Sequence, residues 1–314
     1  MRQIFFYLLL TIFFIIVSTP TYSQGCSDAG FCTMGAMQPD QVYSKKKRIK
    51  LRSIGFSQYR GTTTLSPVIW VSTVDATFAV KRKNSFQLKL PFQAVKGTLG
   101  SNAGIGDLSL SLTRNLINTK KFSINGSIGT KIPTNNGNSE IDGAPAHAYY
   151  QTSLGTNDLI VGASLISKKW LFAVGYQQAL TRNESQFTWG QTFAVSDADS
   201  SYIEKYELGR NLKRGIDVML RVERSFRYSN FNFFVAALPI VRITKDKITT
   251  KEGNRSKLDG TTGMALSALI GGTYHFNTNS SVKFVYGHKI TDREVNPDGL
   301  TRDNVMSLSY YYNF

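Results

Sequence analysis

The chain has 314 residues, 41% of them hydrophobic and 18% charged, and its 37 Lys and Arg against 21 Asp and Glu leave a formal charge of +16. That apolar content excludes a disordered polymer, and two cysteines are too few for a disulfide scaffold or an all-cysteine zinc site. A mean hydropathy of −0.18, with no long apolar run beyond the N-terminus, excludes a multi-helix membrane protein, while an isoelectric point near 9.8 points to nucleic acid or an anionic surface.

Arg2 followed by the apolar run Ile4 to Val17, then small and polar residues to Ser23, has the form of a signal peptide cleaved before Gln24. The alternative, a transmembrane anchor, would need a longer run and a basic stop-transfer cluster. A lipoprotein signal would need a leucine-like residue three before Cys26, where Ser23 stands. Residues 1–23 are therefore expected to be removed, leaving an exported protein in an oxidising compartment. Residues 24–47 show no strand period, and Cys26 and Cys32 are close enough for a small disulfide loop. This segment is either a flexible periplasmic tether or a plug that folds into the lumen on Phe31, Met34 and Met37.

From residue 48 to Phe314 the apolar residues recur at every second position in segments of about ten, which is the period of a strand. Residues 49–59 make the first, and Trp70–Val80 the second. Phe86, Leu88, Leu90 and Phe92 alternate with Gln87, Lys89, Pro91 and Gln93 in the third. Leu108–Leu112, Phe122–Ile128, Leu159–Leu165 and Trp170–Tyr176 follow. Then Ile216, Val218, Leu220 and Val222 alternate with Asp217, Met219, Arg221 and Glu223, before Phe231–Ile243, Met264–Phe276, Val282–Ile290 and Met306–Phe314. About twelve strands lie within the range of bacterial outer-membrane barrels.

Alternation alone would equally suit a β-sandwich or a soluble barrel, whose apolar face points inward. Connection lengths separate them. Short gaps (Arg82–Asn84, Asn115–Lys120, Ser167–Lys169, Arg227–Asn230, Asn277–Ser280) alternate with long ones (Gly61–Pro67, Lys96–Ile105, Pro133–Asn157, Thr181–Arg214, Lys245–Thr262, Thr291–Asn304). Short periplasmic turns and longer outer loops are the rhythm of a transmembrane up-and-down barrel, with lipid outside. The last segment ends on Phe314 and resembles the C-terminal signal read by the barrel assembly machinery. Tyr59, Trp70, Phe122, Trp170, Phe226, Phe231 and Phe276 fall at segment ends, as interfacial girdles require.

Sorted by this sidedness, fifteen cations gather at the short-turn end: Lys45, Lys46, Lys47, Arg48, Lys50, Arg52, Lys81, Arg82, Lys83, Lys120, Lys121, Lys168, Lys169, Arg224 and Arg227. They suit the phosphates of the inner leaflet, with their stems along the apolar band, and argue against a nucleic-acid surface. With apolar residues outward, Asp75, Lys89, Asp107, Lys131, Asp217, Arg221, Glu223, Arg242 and Lys283 face the lumen. They either fill a narrow barrel with salt bridges or line a polar path in which Lys89, Lys131, Arg221 and Arg242 favour anionic or dipolar groups. None of His147, His275 and His288 adjoins a nucleophile motif, and the His and acidic residues lack metal spacing. Neither catalytic residues nor a metal is expected, and His288 is the one candidate for an outer-rim enzyme.

The run Gly104-Ile105-Gly106-Asp107-Leu108-Ser109-Leu110, a glycine turn entering an alternating strand, resembles the fingerprint of the transporter family of the phenol meta-degradation pathway, itself distantly similar to long-chain fatty-acid channels. The resemblance implies passive uptake of small apolar or aromatic molecules without a cofactor. The expectation is thus an outer-membrane channel for a small solute, embedded among outer-membrane lipids. The rival readings are an accessory barrel bound to other envelope proteins and a rim enzyme that modifies lipid.

Overall fold

The structure is a computed structural model that describes residues 34–37, 49–63, 67–81, 83–187, 209–250, 252–300 and 302–314. The signal peptide, Cys26, Cys32, Phe31, Arg82 and the cluster Lys45–Arg48 lie outside these residues. Strands β1 (Lys50–Thr62), β2 (Val68–Val80), β3 (Asn84–Gly97), β4 (Gly100–Ile105), β5 (Leu108–Asn118) and β6 (Phe122–Ile132) form the first half of the chain's antiparallel wall. A small hairpin, β7 (Glu140–Ile141) and β8 (Ala144–Pro145), precedes β9 (Asp158–Ser167), β10 (Trp170–Ala179), β11 (Asp217–Tyr228) and β12 (Phe231–Arg242). A second hairpin, β13 (Lys247–Thr249) and β14 (Arg255–Lys257), precedes β15 (Gly263–His275), β16 (Ser280–Thr291) and β17 (Asn304–Asn313).

The wall closes where β17 pairs with β1, from Ser53 opposite Asn313 to Thr62 opposite Asn304. Closure leaves no free sheet edge at that seam, the condition for a strand-built protein to cross hydrocarbon. β3 pairs with β5 through Asn84–Lys89 and with β4 through Phe92–Gly97, so β4 and β5 are two halves of one wall strand. The barrel therefore has twelve staves.

Lys96–Ile105, read from sequence as a long loop, is instead a hairpin. Gly100 supplies its turn at φ +121°, and Gly106 N–H donates to Pro91 O at 2.8 Å where the stave bends between β4 and β5. The alternation vanished there because Gly97, Gly104 and Gly106 face the loop that packs against this stretch, leaving no apolar side chain to mark the face.

The short connections gather at one end and the long ones at the other. Outward positions carry Phe56, Val74, Leu90, Ile128, Val174, Leu220, Ile270, Phe284 and Leu308, all exposed. Such a belt is solvated by lipid, not water, and its strands of ten to fourteen residues are long enough to span when tilted. At the short-turn end Trp170 stacks with Phe172, and Arg224 lies 4.9 Å over the Trp170 ring. Tyr312 and Phe314 meet edge to face at the same end of the wall, on the terminal strand. Tyr59 departs from the expected girdle: it points inward and packs on Ile69, Val71 and Tyr150 near the long-loop end. The faces of the first segment are hard to tell apart because Gly55 and Gly61 occupy its inward positions.

Candidate functional site

Inward positions hold the polar residues. All nine charged residues assigned inward by sequence lie on that face, buried or half-buried. Asp75 and Lys89, opposite each other on β2 and β3, are 3.6 Å apart, and Gln87 Nε2 donates to Asp75 at 2.7 Å. Lys131 lies 3.4 Å from Asp107, which also accepts from the Ser153 hydroxyl. Arg221 pairs with Glu223, its guanidinium 5.7 Å above the Phe234 ring, while Lys283 Nζ sits 5.5 Å over the same ring. Each of the four cations read as favouring anions thus carries a carboxylate partner.

Arg242, at the long-loop mouth, is the most heavily bonded of the nine. Its Nε and Nη2 donate to Asp217 at 2.8 and 2.7 Å, Nη1 donates to Asp246 at 2.8 and 3.0 Å, and Nη2 donates to Asp298 at 2.9 Å. Asp217 belongs to the wall, but Asp246 and Asp298 belong to two different loops, so one buried guanidinium ties both loops to the barrel. Burial raises the cost of a charged Asp298, yet the guanidiniums of Arg242, Arg293 and Arg214 hold its carboxyl below the usual range. Beside it Arg214 pairs with Asp158, which also accepts from Gln177. Lys289 bridges Asp292 at 2.8 Å and Asp303 at 3.2 Å.

The loop from residue 133 to 157 packs against the wall at the same end. Ile141, Ala146, Tyr149 and Tyr150 meet Ile69, Val95 and Leu99 of the wall, with Phe187 from the next long loop. Tyr150 OH accepts from Leu99 N–H at 3.1 Å, and Gln93 Nε2 donates to Gln151 O at 2.9 Å. His147 caps the short turn there, its Nδ1 accepting from Tyr149 N–H, and burial pushes its pKa down to about 3. Between this loop, Arg214 and Asp298 remains a cavity of about 10 Å³, room for a single water.

The turn Gly35–Met37 sits inside the barrel. Met34 and Met37 are buried at 2% and 0% exposure against Ile160, Leu171, Met219 and Leu269. Gly35 adopts φ +53°, and its N–H points to Gln87 Oε1 at 3.4 Å.

Asp158, Lys289, Asp246 and Asp298 were not among the sequence candidates. Asp158 and Lys289 sit at inward parity, a signal that could have found them. Asp246 and Asp298 are in loops with no period to read. His288, outward near the long-loop end, lies 3.0 Å from Asn304 Oδ1, which also accepts from the Tyr286 hydroxyl. Among the described residues, no group of three or more His, Cys, Asp or Glu could hold a metal ion.

No protein-family model matches this chain, and no curated protein does. Among solved structures, an outer membrane channel from Pseudomonas putida F1 is similar over 88% of this chain and 99% of its own, with a TM-score of 0.58 at 12% identity. The NanC porin matches at a TM-score of 0.44 and 9% identity over 84% of this chain and 99% of its own. The CymD monoaromatic hydrocarbon channel matches at 0.41 and 11% over 93% and 98%. With the Pseudomonas channel the chain shares its fold, a closed transmembrane β-barrel.

Proposed function

We propose that this chain is a passive outer-membrane channel for small solutes, with its short turns and N-terminus in the periplasm. The observation that carries the reading is the inversion of the two faces: lipid-solvated side chains outside, and hydroxyls, amides and paired charges inside a closed wall. The basic short-turn end, where Lys81, Lys83, Lys120, Lys121, Lys168 and Lys169 are exposed, supports the orientation, since phosphate headgroups favour cations there. The terminal strand ending on Phe314 supports recognition by the barrel assembly machinery. Residues 24–47 are read as a lumen plug on the support of Met34 and Met37.

A second reading, an accessory barrel in an envelope assembly, is favoured by the tie of two loops to Arg242 across the mouth. Planar-bilayer recording of the purified protein separates the two. Reproducible conductance steps support the channel. A folded, heat-modifiable barrel that never conducts and that co-purifies with envelope proteins overturns it.

A further inference from the structure

The lipid-facing surface is not uniform around the barrel. At the long-loop ends of β11, β12 and β15 the outward positions are apolar: Val218, Val241 and Met264 lie opposite one another in register. On β16, β17, β1, β2 and β3, which are consecutive in the wall, outward positions toward the same end are polar and basic. Arg60 shares the outward parity of Phe56, and its guanidinium lies 5.4 Å from the centre of the Trp70 ring, exposed opposite it on β2. The Ser72 hydroxyl donates to Gln58 Oε1 at 2.7 Å on the same face. Lys96, exposed at the outward parity of Phe92, stands beyond Trp70 on β3. On the other flank of Arg60, the Tyr286 hydroxyl and His288 Nδ1 meet Asn304 Oδ1 at 2.8 and 3.0 Å, at the parity of the exposed Phe284 and Met306.

Polar groups turned to hydrocarbon are costly unless they are satisfied, and a guanidinium or ammonium costs the most. The amide, hydroxyl and imidazole groups of this sector partly satisfy one another. Its two cations share their face with no carboxylate of the described wall strands, because Asp75, Asp158, Asp217 and Glu223 all point inward and are buried. Cations without acids, beside a tryptophan of the kind that sits at headgroup level, complement an anionic headgroup. Arg60 can hold a phosphate by two parallel N–H donors, and Lys96 can meet another as a point charge. Five strands at a spacing of about 4.8 Å make the sector about 19 Å wide, more than one glycerophosphate headgroup fills. A sugar headgroup fits that width, with hydroxyls and amides to meet Gln58, His288 and Asn304.

Resting on the orientation given above, which puts the long loops outside, we infer that the outward sector from β16 to β3 binds a phosphorylated glycolipid of the outer leaflet. Arg60 and Lys96 hold its phosphates, and the cluster around Asn304 meets its sugar.

Native mass spectrometry of the detergent-solubilised barrel tests this, with bisphosphorylated lipid A, the same lipid freed of phosphate, or phosphatidylglycerol as the added probe. The wild type is expected to retain lipid A at least about fivefold better than either of the others. The double substitution Arg60→Gln and Lys96→Gln should lower lipid A retention about tenfold. His288→Leu with Asn304→Leu should narrow the preference over phosphatidylglycerol. Arg114→Gln, in an exposed outward cation toward the short-turn end of β5, should change neither quantity. Heat-modifiable migration verifies that each barrel is folded. Equal retention of lipid A and phosphatidylglycerol by the wild type, or lipid A retention unmoved by the paired cation substitution, overturns the inference. Loss from these variants of a co-purifying envelope protein, with lipid retention unchanged, makes the sector a protein interface and overturns it too. External protease on intact cells keeps the orientation separate. Cleavage in the long loops without a lipid preference leaves the orientation standing and the inference overturned, whereas protected long loops overturn both.

Discussion

Replacing Arg242 with Ser tests the arrangement of the mouth most directly. The guanidinium is 2% exposed and serves three carboxylates at 2.7 to 2.9 Å. Removing one partner from a buried ionic cluster costs about 3–5 kcal/mol, because the charges left behind can neither pair nor hydrate. The wall is held by its own ladder of backbone hydrogen bonds, so that energy falls on the contacts through which Asp246 and Asp298 dock their loops. At about 1.4 kcal/mol per decade, the docked-to-released ratio should drop by two to nearly four orders of magnitude. Asp217, Asp246 and Asp298 would be left beside Arg293, which lies 3.6 Å from Asp298. The lumen entrance therefore turns more acidic. Reversal potentials across a salt gradient should shift toward cation selectivity, and protease should cut within residues 243–262 and 292–303 faster than in the wild type. An unchanged reversal potential together with unchanged cleavage would refute both the tie and its position on the permeation path.

Three further outcomes are expected. His147 is held neutral by burial at a pKa of about 3, against an ordinary 6.5; the docked loop gains nothing from its proton whereas the released loop takes one up. Docking is therefore complete above pH 6.5 and weakens as pH falls toward 3, by about 2 kcal/mol at pH 5, so proteolysis within residues 133–157 should accelerate there and His147→Gln should flatten the dependence. Tyr150→Ala removes a ring that is 1% exposed and its hydrogen bond from Leu99, costing about 3–5 kcal/mol of that same docking, read as faster labelling of a cysteine placed at Leu99. Deleting Phe314, whose N–H donates to Arg52 O at 2.8 Å across the closing seam, should reduce the heat-modifiable form in cell envelopes; undiminished assembly would count against recognition of the terminal strand.

Strand number, the end at which the long loops gather and the side of the wall on which Asp75, Arg221 or Arg242 sits were all legible in the sequence. Each follows from a period of two and from the spacing of turns, which are local properties of the chain. Where glycine replaces the apolar marker the period disappears. The β3–β4 hairpin and the inward face of Tyr59 were therefore decided by packing. Partners are not local either. Asp298 reaches Arg242 across 56 residues, and Met37 packs against Gly162 of β9 although the two are far apart in the chain. Barrel closure and stagger bring such positions together, and neither quantity is written in any single segment. The sequence by itself determined a polar interior inside an apolar belt. The tertiary structure decided which charges cancel, which loops they tie, and where on the inner wall the Gly35–Met37 turn packs.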